Sequence, residues 1–72
     1  MRETFTINGT MVTRETYVRN FNTVQRLGGE LTYFHERWNA NGGYEFERTY
    51  NTAYGEFTFT HTVLEESERR AA

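Results

Sequence analysis

The sequence predicts an α+β domain, in which one amphipathic helix packs on one face of an antiparallel sheet of four or five strands. Three observations indicate this fold: one apolar stripe at helical spacing, three alternating strand segments after it, and turn signals between the segments. The length of 72 residues predicts a single small domain. A chain this short buries only about 60% of its unfolded surface, so its stability margin is thin. We expect the domain to span 1–64 and to be followed by a polar tail over 65–72.

The N-terminal segment predicts a β-hairpin. ETFTING alternates polar and apolar residues and places Phe5 and Ile7 on one side. Asn8-Gly9 favours a two-residue type I′ turn, because both central residues of that turn need a positive φ. TMVT at 10–13 then returns as a strand that has to be short, since a helical pattern begins immediately after it.

A helix of about four turns is predicted over 14–27. Thr13 is the expected N-cap, because a threonine hydroxyl accepts a hydrogen bond from the first helical turn. Gly28 and Gly29 end the helix, as glycine commonly does just beyond the last helical residue. The apolar stripe that faces the sheet consists of Tyr17, Val18, Phe21, Val24 and Leu27.

Three strands are predicted after the helix: ELTYFHERW at 30–38, YEFERTY at 44–50 and EFTFTHTVL at 56–64. NANGG and NTAYG separate them as turns. The five-residue turn over 51–55 pairs Tyr50 with Phe57. In the last strand apolar residues and a histidine alternate with threonines, which indicates an antiparallel sheet with one covered and one solvated face.

A two-residue turn at Asn41-Gly42 is the register from which we predict a binding surface. It pairs Trp38 with Glu45, and directly opposed residues share a face. The outward face, an acidic Thr/Glu face, then carries two aromatic rings among carboxylates, as in an interaction hot spot with a polar rim. The predicted partner-binding residues are Phe34, Glu36, Trp38, Glu45, Glu47 and Glu56. In the same register the inner face of the strand at 30–38 carries Leu31, Tyr33, His35 and Arg37.

The sequence also permits a five-residue loop over 39–43. This loop pairs Trp38 with Tyr44 and places Phe34 opposite Arg48, toward the core. A slip of one residue exchanges the two faces of a strand, so the two registers predict different surfaces. The side of the strand at 44–50 that carries Glu45 and Glu47 is acidic and faces outward in either register, because the alternation of the strand at 56–64 independently assigns the same side to solvent.

Composition gives little support for catalysis. The chain contains no Asp and no Cys, and its one Ser lies in the tail, which excludes a disulfide and a cysteine-based zinc site. His35 and His61 fall on the covered face beside arginines and are interpreted as residues of the sheet margin, since no spacing signature makes them metal ligands. We therefore predict a non-enzymatic protein with no catalytic residue, no cofactor and no metal.

The formal net charge of −2 and the carboxylates of the sheet predict a stoichiometric protein-binding module. Charge complementarity selects a partner while a buried aromatic side chain supplies affinity, so the expected partner is a larger protein with a basic surface, such as a nucleic-acid-binding complex. No apolar run approaches the ~20 residues of a membrane span. By analogy with other small acidic proteins, we expect a phage or mobile-element inhibitor of a bacterial defence complex, for example an anti-CRISPR protein, in the host cytoplasm.

Two alternatives remain open at this stage. Aromatic sheet faces stack single-stranded bases, and such a face would be available if the helix left it uncovered. The candidate contacts are Tyr33, Arg37, Tyr44, Arg48 and Tyr50. The negative net charge counts against nucleic acid as the partner. The second alternative is a homodimer in which Phe34 and Trp38 contact a copy of themselves.

Overall fold

A computed structural model describes residues 2–38 and 42–64 of the chain. Its elements are β1 (Arg2–Ile7), β2 (Thr10–Val12), α1 (Arg14–Arg26), β3 (Glu30–Trp38), β4 (Tyr44–Thr52) and β5 (Gly55–Leu64). The strands form one antiparallel sheet in the order β2-β1-β5-β4-β3. α1 packs on one face of this sheet, which confirms the predicted α+β fold. The predicted tail over 65–72 lies outside the described residues.

The first hairpin has the predicted type of turn. Asn8 and Gly9 both have positive φ values, 53° and 83°, and Ile7 pairs with Thr10 across them. The Asn8 side chain also accepts a hydrogen bond of 2.9 Å from the backbone N–H of Thr58 in β5. TMVT provides β2, a strand of three residues, so the sheet has five strands rather than four.

The helix has the predicted caps at both ends. Thr13 is the N-cap, and its Oγ1 accepts a hydrogen bond from the Thr16 N–H at 3.2 Å. At the other end Gly28, with φ 75°, and Gly29 donate to carbonyl oxygens of the last helical turn at 3.1 and 3.0 Å. These two bonds form a Schellman motif, which ends α1 one residue earlier than predicted.

The core lies between α1 and the β1, β5 and β4 strands. Phe59 of β5 is fully buried, with the rings of Tyr17 and Phe21 of α1 and of Tyr50 packed around it. Partly buried side chains of the first hairpin and β5 extend this cluster: Phe5, Ile7, Val12 and Phe57. Val18 and Leu27 of the predicted helical stripe are about half exposed, because the side of α1 that contacts the sheet is narrower than the predicted stripe.

The register between β4 and β5 is the predicted one, since Tyr50 lies opposite Phe57. The turn itself is shorter than predicted. Thr52 and Gly55 still pair with each other, so the strands continue through most of 51–55. The faces of the two strands are unaffected, because the added pairs, Asn51 with Glu56 and Thr52 with Gly55, continue the same register.

The register between β3 and β4 differs from the one that gave the predicted binding surface. Trp38 lies opposite Tyr44, and Phe34 lies opposite Arg48. The prediction of a two-residue turn at Asn41-Gly42 is therefore wrong, and the pairing is that of the five-residue loop. Asn41 itself lies outside the described residues, so the pairing of the strands identifies the register.

Cross-strand interactions explain this register. A two-residue turn would oppose Glu36 and Glu47 directly, and like charges in that position destabilise a sheet. In the observed register Glu36 lies opposite Phe46, and Arg37 forms an ion pair with Glu45 at 3.0 Å. A repulsive pair is thus replaced by an attractive one.

The two faces of β3 are accordingly exchanged along most of the strand. A β-bulge between Leu31 and Tyr33 shifts the register by one residue. Leu31 stays on the helix side, as predicted, and it pairs with Tyr50. Tyr33, His35 and Arg37 lie on the outer face, and their predicted inward placement is wrong.

Candidate functional site

The structure divides the predicted partner-binding residues between two faces of the sheet. Phe34, Glu36 and Trp38 of β3 lie on the side that carries α1. The other three, Glu45, Glu47 and Glu56, lie on the outer face. The prediction that all six form one surface is wrong, because it depended on the two-residue turn. The aromatic and acidic parts therefore form separate candidate surfaces.

α1 leaves one corner of its own side of the sheet uncovered. The helix begins beside β1, where Arg14 contacts Glu3, and runs diagonally until Phe21 packs on Tyr50 of β4. Among the described residues, the ring contacts at the end of β3 and β4 nearest their connection do not involve α1. We call this surface the aromatic corner; its rings are Phe34, Trp38, Tyr44 and Phe46.

The rings of the aromatic corner form a continuous row. Trp38 and Tyr44 have their ring centroids 4.4 Å apart, Tyr44 and Phe46 are 6.0 Å apart, and Phe46 and Phe34 are 5.6 Å apart. These separations fall within or just below the usual range for aromatic pairs. Trp38 nevertheless keeps 71% of its surface exposed and Phe34 keeps 49%. The row is thus ordered by its own contacts and still open to a ligand.

Arg48 lies at the inner end of this row. Its guanidinium carbon is 4.3 Å from the ring centroid of Phe46 and 5.5 Å from that of Phe34. One terminal nitrogen donates a long hydrogen bond of 3.4 Å to the Tyr50 hydroxyl, while the buried Nε has no hydrogen-bond partner. None of the ion pairs found among 2–38 and 42–64 includes Arg48. The side chain is held by stacking and retains N–H groups for an acceptor.

Glu36 lies at the other side of the corner and accepts a hydrogen bond of 2.9 Å from the Tyr44 hydroxyl. Burial of the phenol, and then this hydrogen bond to a carboxylate, raise the pKa of Tyr44 above its usual value. Both causes favour the neutral phenol. Tyr44 therefore remains a hydrogen-bond donor to Glu36 throughout the neutral pH range.

Replacing Glu36 with glutamine is expected to lower the pKa of Tyr44 toward that of a free tyrosine. The negative charge that disfavours the phenolate is removed, while the burial that also raises the pKa remains. The pKa is measured by following the Tyr44 ring signals by NMR as the pH is raised. Glu45→Gln on the outer face is the matched control and should leave the Tyr44 pKa unchanged. A Tyr44 pKa that does not respond to Glu36→Gln would show that the hydrogen bond is not formed in solution.

The outer face is less acidic than the sequence predicts. Glu45 is neutralised by Arg37, and Glu47 lies opposite His35. The remaining side chains of β4 and β5 on this face are largely threonines, two of which, Thr49 and Thr58, share a hydrogen bond of 3.0 Å. The carboxylates therefore do not form the continuous array that the prediction required.

The two histidines are separated by the sheet. His61 lies on the helix side, where its ring stacks on Phe5 at 4.5 Å and its Nε2 is 3.4 Å from Glu3. The Arg14 guanidinium, which donates to Glu3, holds the pKa of that carboxyl below its usual value. His35 lies on the opposite face, so its predicted place on the covered face is wrong.

The leading sequence interpretation assigned the face of Tyr44, Phe46 and Arg48 to the core, and it considered Tyr44 and Arg48 as contacts only in the nucleic-acid alternative. One signal was available in the lengths of the elements. A helix of 13 residues is about 20 Å long and about 10 Å wide. The three strands of nine or ten residues are about 30 Å long, and a sheet of five strands is about 19 Å across. A single helix of this size cannot cover such a sheet.

Comparison with protein-family models, with curated proteins and with solved structures gives no match to this chain. Within the described part of the chain we find no pocket and no group of three or more side chains suited to hold a metal ion. α1, the helix that the described residues contain, is too short and too polar to span a membrane.

Proposed function

We propose that this protein is a small non-enzymatic protein-binding module and that its binding surface is the aromatic corner together with Arg48. The observation that carries the proposal is the exposure of Trp38 (71%) and Phe34 (49%) in a row of ordered rings that α1 leaves uncovered. Trp, Tyr and Arg are the residues most enriched at the energetic centres of protein interfaces. Their rings are already in place before a partner arrives, which limits the entropy that binding has to overcome.

The charges of the corner favour a protein over a nucleic acid. The exposed rings of Phe34 and Trp38 meet the geometric condition for stacking bases. However, the surface carries one Arg and one Glu, Arg48 and Glu36, and the chain has a net charge of −2. Binding to a phosphate backbone needs several cations on one surface. A mixed pair of charges around aromatic rings is typical of a protein interface.

The corner replaces the acidic face as the main source of affinity in this proposal. Glu45 is engaged by Arg37, so the outer face offers fewer free carboxylates to a basic partner. Exposed aromatic rings supply more binding energy than solvated carboxylates, whose main effect is on the rate of encounter. That the target is a bacterial defence complex, met in the host cytoplasm, stays a prediction from the sequence.

The proposal is tested by affinity capture from the nuclease-treated lysate of bacteria that also express the untagged chain. The tagged protein is compared with a Phe34→Ala/Trp38→Ala variant and with Tyr54→Ala, a matched control whose ring is 76% exposed in the turn between β4 and β5. We expect a protein that is retained by the original chain and by the control and is lost from the double variant. Equal capture by all three would contradict the proposal. Binding to a labelled oligonucleotide that weakens steeply with salt would assign the corner to nucleic acid instead.

A further inference from the structure

We infer that the partner of the aromatic corner is a second copy of this chain, packed face to face about a twofold axis. The inference rests on the proposed function, because it concerns the same surface. It is carried by the charges of the corner. Neither Arg48 nor Glu36 belongs to any ion pair formed among the described residues, although both lie beside the exposed rings. A partner that matches the charges of the corner therefore brings one acid and one base.

The positions of these two charges are self-complementary. Glu36 lies on β3 opposite Phe46, and Arg48 lies on β4 opposite Phe34, so the two charges occupy diagonal positions. In a twofold interface, if residue i contacts residue j of the other copy, then j contacts i. One rotation thus brings Glu36 of each copy to Arg48 of the other. The rings between them then pack against the same rings of the second copy.

The groups that would meet have free hydrogen-bonding capacity. The Glu36 carboxylate accepts one bond from Tyr44 and keeps further acceptor positions. The Arg48 guanidinium lies over the Phe46 ring and has one long hydrogen bond, to Tyr50. A carboxylate is the acceptor that matches the planar fork of a guanidinium. The second copy supplies that carboxylate and needs the base in return.

The height of α1 fits this arrangement. The helix lies beside the corner and rises about 10 Å above the sheet, which is the diameter of a helix. Two sheets that pack face to face are also about 10 Å apart. A second sheet above the corner therefore lies level with α1. The helix of the second copy then lies alongside β3, just outside the sheet of the first copy, because β3 is the edge strand of the described sheet. In the dimer each helix therefore lies beside the sheet of the other copy, and the two copies together cover Trp38 and Phe34.

The inference is tested by sedimentation velocity over a range of protein concentrations. We expect the original chain to form a dimer as its concentration rises. Glu36→Arg and Arg48→Glu should each weaken self-association at least about tenfold, because each change opposes like charges twice across the axis. An equimolar mixture of the two variants should dimerise again, since every contact then joins an Arg to a Glu. The double variant Glu36→Arg/Arg48→Glu should dimerise alone for the same reason. Circular dichroism confirms that each variant is folded.

Several results would overturn the inference. A chain that stays monomeric at every concentration excludes the second copy, and the proposed function then stands if the affinity capture still depends on Phe34 and Trp38. If that capture also fails, both are wrong. A dimer that survives Arg48→Glu is not face to face, because Arg48 is one strand in from the edge, and it would place the contact at the free edge of β3. Failure of the two-variant mixture to dimerise excludes the Glu36–Arg48 pairing.

Discussion

Replacing Phe59 with alanine is expected to unfold a large fraction of the protein at room temperature. Phe59 is fully buried, and its ring centroid lies 5.5 Å from that of Phe21, 5.6 Å from that of Tyr17 and 6.2 Å from that of Tyr50. Phe→Ala in a core costs about 3–5 kcal/mol, since the lost burial and the cavity both count. The whole free energy of unfolding of a small domain is of the order of 5 kcal/mol.

The free energy of unfolding of Phe59→Ala is measured by urea denaturation followed by circular dichroism. Tyr54→Ala is the control, because its ring is 76% exposed and a surface change of this kind alters stability by no more than about 0.5 kcal/mol. Phe59→Leu should fall between the two, because leucine refills most of the volume. A loss below about 1.5 kcal/mol for Phe59→Ala would contradict the central place of this ring in the core.

Replacing Gly29 with alanine is expected to destabilise the protein by about 1–3 kcal/mol through steric overlap. A Cβ at this position would lie 2.6 Å from the Val24 Cγ1 and 3.0 Å from the Val24 carbonyl oxygen. Val24 is 3% exposed and has no free space to move into. The Gly29 N–H also donates to that carbonyl at 3.0 Å, so the backbone cannot withdraw without breaking the helix cap.

A double-mutant cycle with Val24→Ala tests this explanation. Shortening Val24 removes the nearest methyl group, so Gly29→Ala should cost less in that background than in the original chain. Gly28→Ala is the matched control. A Cβ there meets open space, but its φ of +75° strains any side chain, at a cost of about 1–2 kcal/mol. That cost should be independent of Val24. Strict additivity of Gly29→Ala and Val24→Ala would exclude the overlap.

Part of the candidate site was predictable from residue types alone. Phe34, Glu36 and Trp38 were identified as partner-binding candidates, and all three lie at the aromatic corner. Their grouping with Glu45 and Glu47 was wrong, and their use in binding stays a prediction. The leading interpretation placed Tyr44, Phe46 and Arg48 in the core, because alternation shows which residues share a face and does not show whether that face is covered.

The sequence by itself determined the elements whose causes are local. Asn8-Gly9 adopts the positive φ values of its turn, and Thr13 caps the helix through its own hydroxyl. Gly28 and Gly29 end the helix within the next two residues. Each of these interactions joins residues a few positions apart, so short sequence patterns are enough to predict them. The regular alternation of β5 similarly predicted its covered and solvated sides.

Only the tertiary structure decided the register of β3 on β4 and the extent of the sheet that α1 covers. The register depends on which side chains meet across the strands, and the Arg37–Glu45 ion pair and the bulge after Leu31 both arise from that pairing. A one-residue change reverses every face, so a local pattern cannot predict it. The coverage depends on the path and length of α1 across the sheet. These two long-range features place the aromatic corner on the helix side and leave it exposed.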